Sequence, residues 1–208
     1  MTNPTSFGFI STDIAGAYLV NPFYMEDSRG YFAKNYEKEI YQSLGFFREI
    51  AEEFETLSAH NVLRGLHFQN RFPQDKIVRS VKGEIYDVIV DLRKDSETFL
   101  EWRGFHLSEK NRQSLLVPHG CAHGFLVLSK EALVSYICAG KYYREYDTGI
   151  HYKDSRLSID WPIDPNEKLI ISEKDAALQT LDAFLDVHGG FGADEMPDAG
   201  DDIPGGKI

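Results

Sequence analysis

Four short runs of this chain carry side chains that can move protons or hold charge. They are Arg64-Gly65-Leu66-His67, Lys76 within PQDKIVR, the segment from Pro118 to Phe125 (PHGCAHGF), and Tyr136 within SYIC. A histidine takes up a proton near neutral pH, a tyrosine can return one, and a lysine can stabilise an oxyanion. The signatures of other chemistries are missing: there is no GxSxG elbow, P-loop, GxGxxG or HExxH. A metal site in a small β-barrel normally shows two histidines one residue apart. Here His67 is followed by Phe68 and Gln69, so no metal is expected. What remains is an acid/base set without metallic or covalent help, and no cofactor is expected. Each residue also has a structural reading when taken singly: a hydrogen-bonded strand histidine, a core tyrosine, an edge lysine.

The elements that must position these residues are short strands. Ile77–Val81 runs through a turn at Gly83 into Ile85–Leu92, where Tyr86, Val88, Val90 and Leu92 form one apolar face. The opposite face mixes Ile85, Asp87, Ile89 and Asp91, which predicts a wall of a polar cavity. Further strands are expected at 99–107, 114–117, 124–128 and 132–138. Short strands at this spacing indicate a sandwich or small barrel rather than βαβ units. A turn is expected at Asp27–Gly30, a short helix over 36–45 and a closing helix over 173–187.

The chain has 208 residues, 42% of them hydrophobic, with 14 Phe, 11 Tyr and 2 Trp, enough for one real core. Its net charge is −11, which argues against nucleic acid as a partner. No apolar run reaches membrane-spanning length and no secretory signal is visible, so the expected location is cytoplasmic and away from membranes. Cys121 and Cys138 have apolar neighbours and no CxxC spacing, and read as small buried thiols. The expected organisation is one domain over 1–188 and an acidic, disordered tail over 189–208.

The longer motifs VLRGLHFQ, PQDKIVRSVKGEIYDVIVDLRKDSETF, the PxGxAHGFLVLS segment, YIC, IDWP and LIISEKDA resemble the dTDP-4-dehydrorhamnose 3,5-epimerase family. The resemblance runs from about Phe7 to Ala176. It implies a mainly β, cupin-like jelly roll with a few short helices. It also implies a homodimer that exchanges N-terminal segments, and a nucleotide-diphosphate 4-keto-6-deoxy sugar as substrate. In this resemblance His67 takes the place of the base, Asp175 that of the carboxylate orienting it, and Lys76 that of the cation near the keto oxygen. Tyr136 matches the acid on the opposite face, and Asp87 a second carboxylate nearby. Arg64 matches a diphosphate contact, His123 and Tyr142 match pocket residues, and Arg29 and Phe32 lie in the matching N-terminal segment. Two other readings stay open: a sugar-binding protein without catalysis, and a 3,4-ketoisomerase, which normally carries the His-x-His pair absent here.

The sequence also departs from the family's pattern, and the resemblance implies that the changes at Lys34, Glu52 and Phe54 belong to the nucleotide end. Lys34 stands where Glu is usual, Glu52 where Gln is usual, and Phe54 where Asn is usual. His119 replaces a frequent Glu, and Asp147 takes another Glu place. Lys34 can only donate hydrogen bonds and ionised Glu52 can only accept them. Acting together, that pair suits cytosine, so a CDP sugar is weighed against the family's dTDP sugar.

Overall fold

Period-two alternation over the middle of the chain becomes two antiparallel sheets packed face to face. The computed structural model describes residues 6–46 and 48–192. The strands are β1 (Gly8–Ser11), β2 (Tyr18–Asn21), β3 (Phe23–Asp27), β4 (Gly30–Lys34), β5 (Ile50–Ala59), β6 (Leu63–Gln69), β7 (Asp75–Lys82), β8 (Glu84–Asp91), β9 (Trp102–Ser108), β10 (Ser114–Val117), β11 (Cys121–Val127), β12 (Glu131–Ala139) and β13 (Asp147–Gly149). Three short helices join them: α1 (Lys38–Gln42), α2 (Glu173–Ala176) and α3 (Leu181–His188). One sheet has the order β1-β2-β10-β7-β12-β5, the other β13-β6-β11-β8-β9, and β3-β4 forms a separate hairpin. The mainly β jelly-roll expectation is thus met. Among the described residues no helix is long and apolar enough to cross a membrane.

Three apolar layers hold the sandwich. Ile85, Ile89, Leu115, Phe125, Val134 and Tyr136 fill the space between the sheets. The second face of β8, with Val88 and Val90, packs under the C-terminal segment through Leu63, Trp161, Leu181 and Phe184. Tyr41 of α1 closes the outside of the larger sheet with Phe46, Ile77 and Leu116. Cys121 and Cys138 are both buried and free.

Several expectations need correction. Asp91 does not line a cavity. It is fully buried and accepts hydrogen bonds from Arg93 Nε (2.8 Å), Ser96 Oγ (2.6 Å) and Thr98 Oγ1 (2.7 Å), which anchors the turn after β8. Burial works against its charge, but the Arg93, Ser96 and Thr98 hydrogen bonds hold its carboxyl below the usual range. β9 begins at Trp102 rather than Phe99, because Leu100 sits at φ +65° in that turn. The single helix over 173–187 is two. Ser172 Oγ caps α2 and Thr180 Oγ1 caps α3, and the stretch between them pairs Gln179 with Ile150. Packing also runs past residue 188: Phe191 is buried against Phe68 and Phe184. The rest of the expected tail, 193–208, lies outside the described residues.

Candidate active site

β6 and β11 run side by side with His67 opposite His123. Close backbone approach makes this possible. A Cβ on Gly65 would lie 2.6 Å from the His123 carbonyl oxygen, and one on Gly124 would lie 2.6 Å from that of Arg64. Gly65 also sits at φ +106°, a conformation L side chains rarely adopt.

His67 Nε2 is 2.8 Å from Asp175 Oδ1. The other oxygen of Asp175 accepts the Gly65 backbone N–H at 3.2 Å. Burial opposes the charge of this carboxyl, yet the His67 hydrogen bond and charge, with the Gly65 N–H, hold it below the usual range. A histidine whose Nε2–H is held by a carboxylate presents Nδ1 as a free proton acceptor.

His67 opens onto a pocket of about 270 Å³, lined also by Glu52, Phe54, Gln74, Lys76, Tyr142 and Asp147. Tyr142 donates to Asp147 Oδ2 at 3.1 Å, and Lys174, next to Asp175 on α2, bonds the same oxygen. So α2 fastens two walls of the pocket at once. Lys174 and Gln74 were not singled out from the sequence. The SEKDA run pointed to Asp175 alone, and nothing in the PQDK segment marks Gln74 as a bridge between Glu52 and the Gly140 carbonyl.

A second His–Asp pair lies deeper. His123 Nε2 is 2.9 and 3.0 Å from the two oxygens of Asp87, and both residues are buried. Burial pushes the Asp87 carboxyl upward, while His123 and Lys76 pull it back. The His123 ring meets Tyr136 edge-on at 6.0 Å. Burial, then the Asp87 charge, pushes the Tyr136 phenol well above its ordinary range, so it keeps its proton. The Arg64 charge acts in the opposite sense on the same phenol, and Arg64 Nε donates to Ser58 Oγ at 3.0 Å.

The structure thus gathers His67, Lys76, Glu52, Tyr142 and Asp147 around one opening, with Asp175 behind His67 and with Tyr136, His123 and Asp87 in the barrel wall. It does not bring the N-terminal set there within one chain. Arg29 and Phe32 border a separate cleft on the β3–β4 hairpin, where Arg29 pairs with Asp27 at 2.6 Å. Lys34 bonds Glu37 at 2.8 Å and Glu52 accepts from Gln74 at 2.9 Å, so those two do not meet. His119 Nδ1 lies 2.6 Å from Asp75, and neither residue is among those lining the pocket.

Comparison with known proteins places these features in a wider set. Residues 11–183 match the family model described as dTDP-4-dehydrorhamnose 3,5-epimerase. A protein of that description from Methanothermobacter thermautotrophicus is 47% identical over 169 residues, covering 81% of this chain and 91% of its own. A solved 3,5-epimerase from Legionella pneumophila, in complex with dTDP-4-keto-L-rhamnose, superposes with a TM-score of 0.81. It is 38% identical, over 85% of this chain and 94% of that one. A 4-keto-6-deoxy sugar epimerase from the novobiocin gene cluster of Streptomyces spheroides gives 0.84 at 27% identity, over 95% and 98% of the two chains.

Proposed function

Because this chain belongs to the dTDP-4-dehydrorhamnose 3,5-epimerase family, we propose that it inverts C3 and C5 of a dTDP-linked 4-keto-6-deoxy sugar by way of an enolate. The observation that carries the reading is the His67–Asp175 pair at 2.8 Å on the rim of a pocket that also holds Lys76. The hydrogens on C3 and C5 are acidic because each carbon adjoins the C4 ketone. His67 removes one, and the C–H electron pair moves into the C3–C4 or C4–C5 bond as the carbonyl becomes an enolate. Asp175 stabilises the imidazolium that forms. Lys76 offsets the charge growing on the C4 oxygen. Inversion then needs a proton from the other face. Tyr136 supplies it, the carbonyl re-forms, and solvent resets both groups.

Arg64 suits the diphosphate, since a guanidinium fork matches phosphate oxygens. The nucleotide is dTDP rather than CDP in this reading. In support, the matching family model and the solved Legionella relative both carry dTDP in their descriptions. Arg29, Phe32 and Lys34 act in the pocket of a second copy. In support, the β3–β4 hairpin stands apart from both sheets, and Met25, Tyr31 and Phe32 are exposed on it. A lone two-stranded hairpin is marginal in water and gains from a covering partner. A particle of twice the chain mass in solution is expected, and a monomer at working concentration would end the exchange reading.

The direct test is incubation with dTDP-4-keto-6-deoxyglucose in heavy water, followed by NMR. Deuterium at both C3 and C5 together with the inverted sugar is the expected result. Binding without exchange at either carbon would reduce the protein to a binder, and a carbonyl moved to C3 would make it a ketoisomerase.

A further inference from the structure

Phe54 and Tyr136 are direct partners across β5 and β12. Their rings stack face to face, 4.7 Å between centroids and 13° between planes. The His123 imidazole, itself fixed by Asp87, meets the same phenol ring at a steep angle, 79° between planes. Tyr136 is thus held by two rings. Their surroundings differ: Tyr136 is 6% exposed, whereas Phe54 is 41% exposed and lines the pocket beside His67 and Lys76. Phe54 is the layer between one face of the phenol ring and the open pocket. β5 is also one of the two edge strands of its sheet, bonded within the sheet to β12 alone.

We propose that Phe54 is a positioning residue that clamps Tyr136, and so commits each proton removal by His67 to inversion instead of return on the same face. The inference rests on the acid role given to Tyr136 above. After proton removal the enolate can be quenched from either side. The protonated His67 returns the starting sugar, and Tyr136 gives the epimer. Which wins depends on how well the phenol O–H is aimed, and a misplacement of about 1 Å costs on the order of 10²-fold in such transfers. An offset ring stack removes the freedom that would blur that aim. It also keeps water off the ring, which supports the burial that holds the phenol protonated.

The test compares Phe54→Ala, Phe54→Leu and Phe54→Tyr by the ratio of deuterium wash-in to inverted product. For Phe54→Ala the ratio is expected to rise about tenfold or more, and because it compares two fates of one bound enolate, a change in KM does not alter it. The alkaline limb of inversion should move to lower pH as the phenol is hydrated. Phe54→Leu keeps apolar bulk without a flat face and should raise the ratio too, while Phe54→Tyr restores stacking and should return it to the parent value. If Phe54→Ala fails to fold, the Leu and Tyr variants carry the test between them. An unchanged ratio with a raised KM would make Phe54 a wall for the substrate and overturn the clamp. Tyr136→Phe separates the two levels. If that variant still inverts, the acid assignment falls; if it loses inversion while the Phe54 variants keep the parent ratio, only the clamp falls.

Discussion

His67 and His123 face each other across neighbouring strands, and each holds an aspartate within 3.0 Å. The side chains of His67 and Asp175 are 30% and 6% exposed, those of His123 and Asp87 5% and 0%. One pair therefore has a charged interior end and an open ring, and the other is closed on every side. A base must meet substrate and exchange its proton with solvent, and only the first pair can. The closed pair suits a fixed support behind the Tyr136 ring, because a buried pair is costly to rearrange. The same two residue types thus do different work, and access decides which.

The largest effect separating the pairs should come from His67→Asn. Loss of a positioned base is expected to cut both exchange and product by about 10²–10⁴-fold, with the melting temperature nearly unchanged. Activity above about a tenth of the parent would move His67 into the supporting class.

Stability should divide the carboxylates the other way. Asp87→Ala leaves His123 buried without its partner and is expected to cost about 3–5 kcal/mol in denaturant unfolding. Asp175→Ala breaks a half-open pair and should cost about 1.5–3 kcal/mol. Equal losses would erase the distinction drawn from burial.

The smallest effect is in the acid dependence of stability, where the two aspartates should have opposite signs. The folded carboxyl of Asp175 lies below its ordinary value of 3.8. Its contribution is present above that value and is lost as pH falls through the lowered one. The folded carboxyl of Asp87 lies above 3.8, so the native state binds that proton more readily and gains as pH falls through the raised value. Relative to the parent, Asp175→Asn should therefore improve toward acid and Asp87→Asn should worsen. Slopes of the same sign in melting curves from pH 7 to 3 would contradict the assignment.

The strands were legible because alternation and turn residues act locally. Asp87 was already conspicuous as an acid on an inward strand face. Asp91 carries the same signal and has another fate, since what distinguishes it is the set of donors that follows: Arg93, Ser96 and Thr98. Pattern alone weighs the acid and not its neighbours. The split of the closing helix was signalled by the capping residues Ser172 and Thr180, but helical periodicity over 173–187 hid the break. The His67–Asp175 contact spans 108 positions, and only the family resemblance joined them before the fold did. Phe54 stood out as a departure, but its stacking on Tyr136 depends on strand register, which composition does not encode.

The attachment of α2 to β6 has a consequence for timing. Among the described residues, every strand of both sheets has been synthesised once Gly149 is made, while Asp175 and Lys174 emerge later on a four-residue helix. Until they emerge, the Gly65 N–H and the His67 ring lack the carboxylate that joins them. A chain that has its strands but not yet this segment lacks the partner of its base. Competence to strip a proton thus arrives last, together with the segment that covers the apolar back of the smaller sheet, and a half-made molecule stays chemically silent.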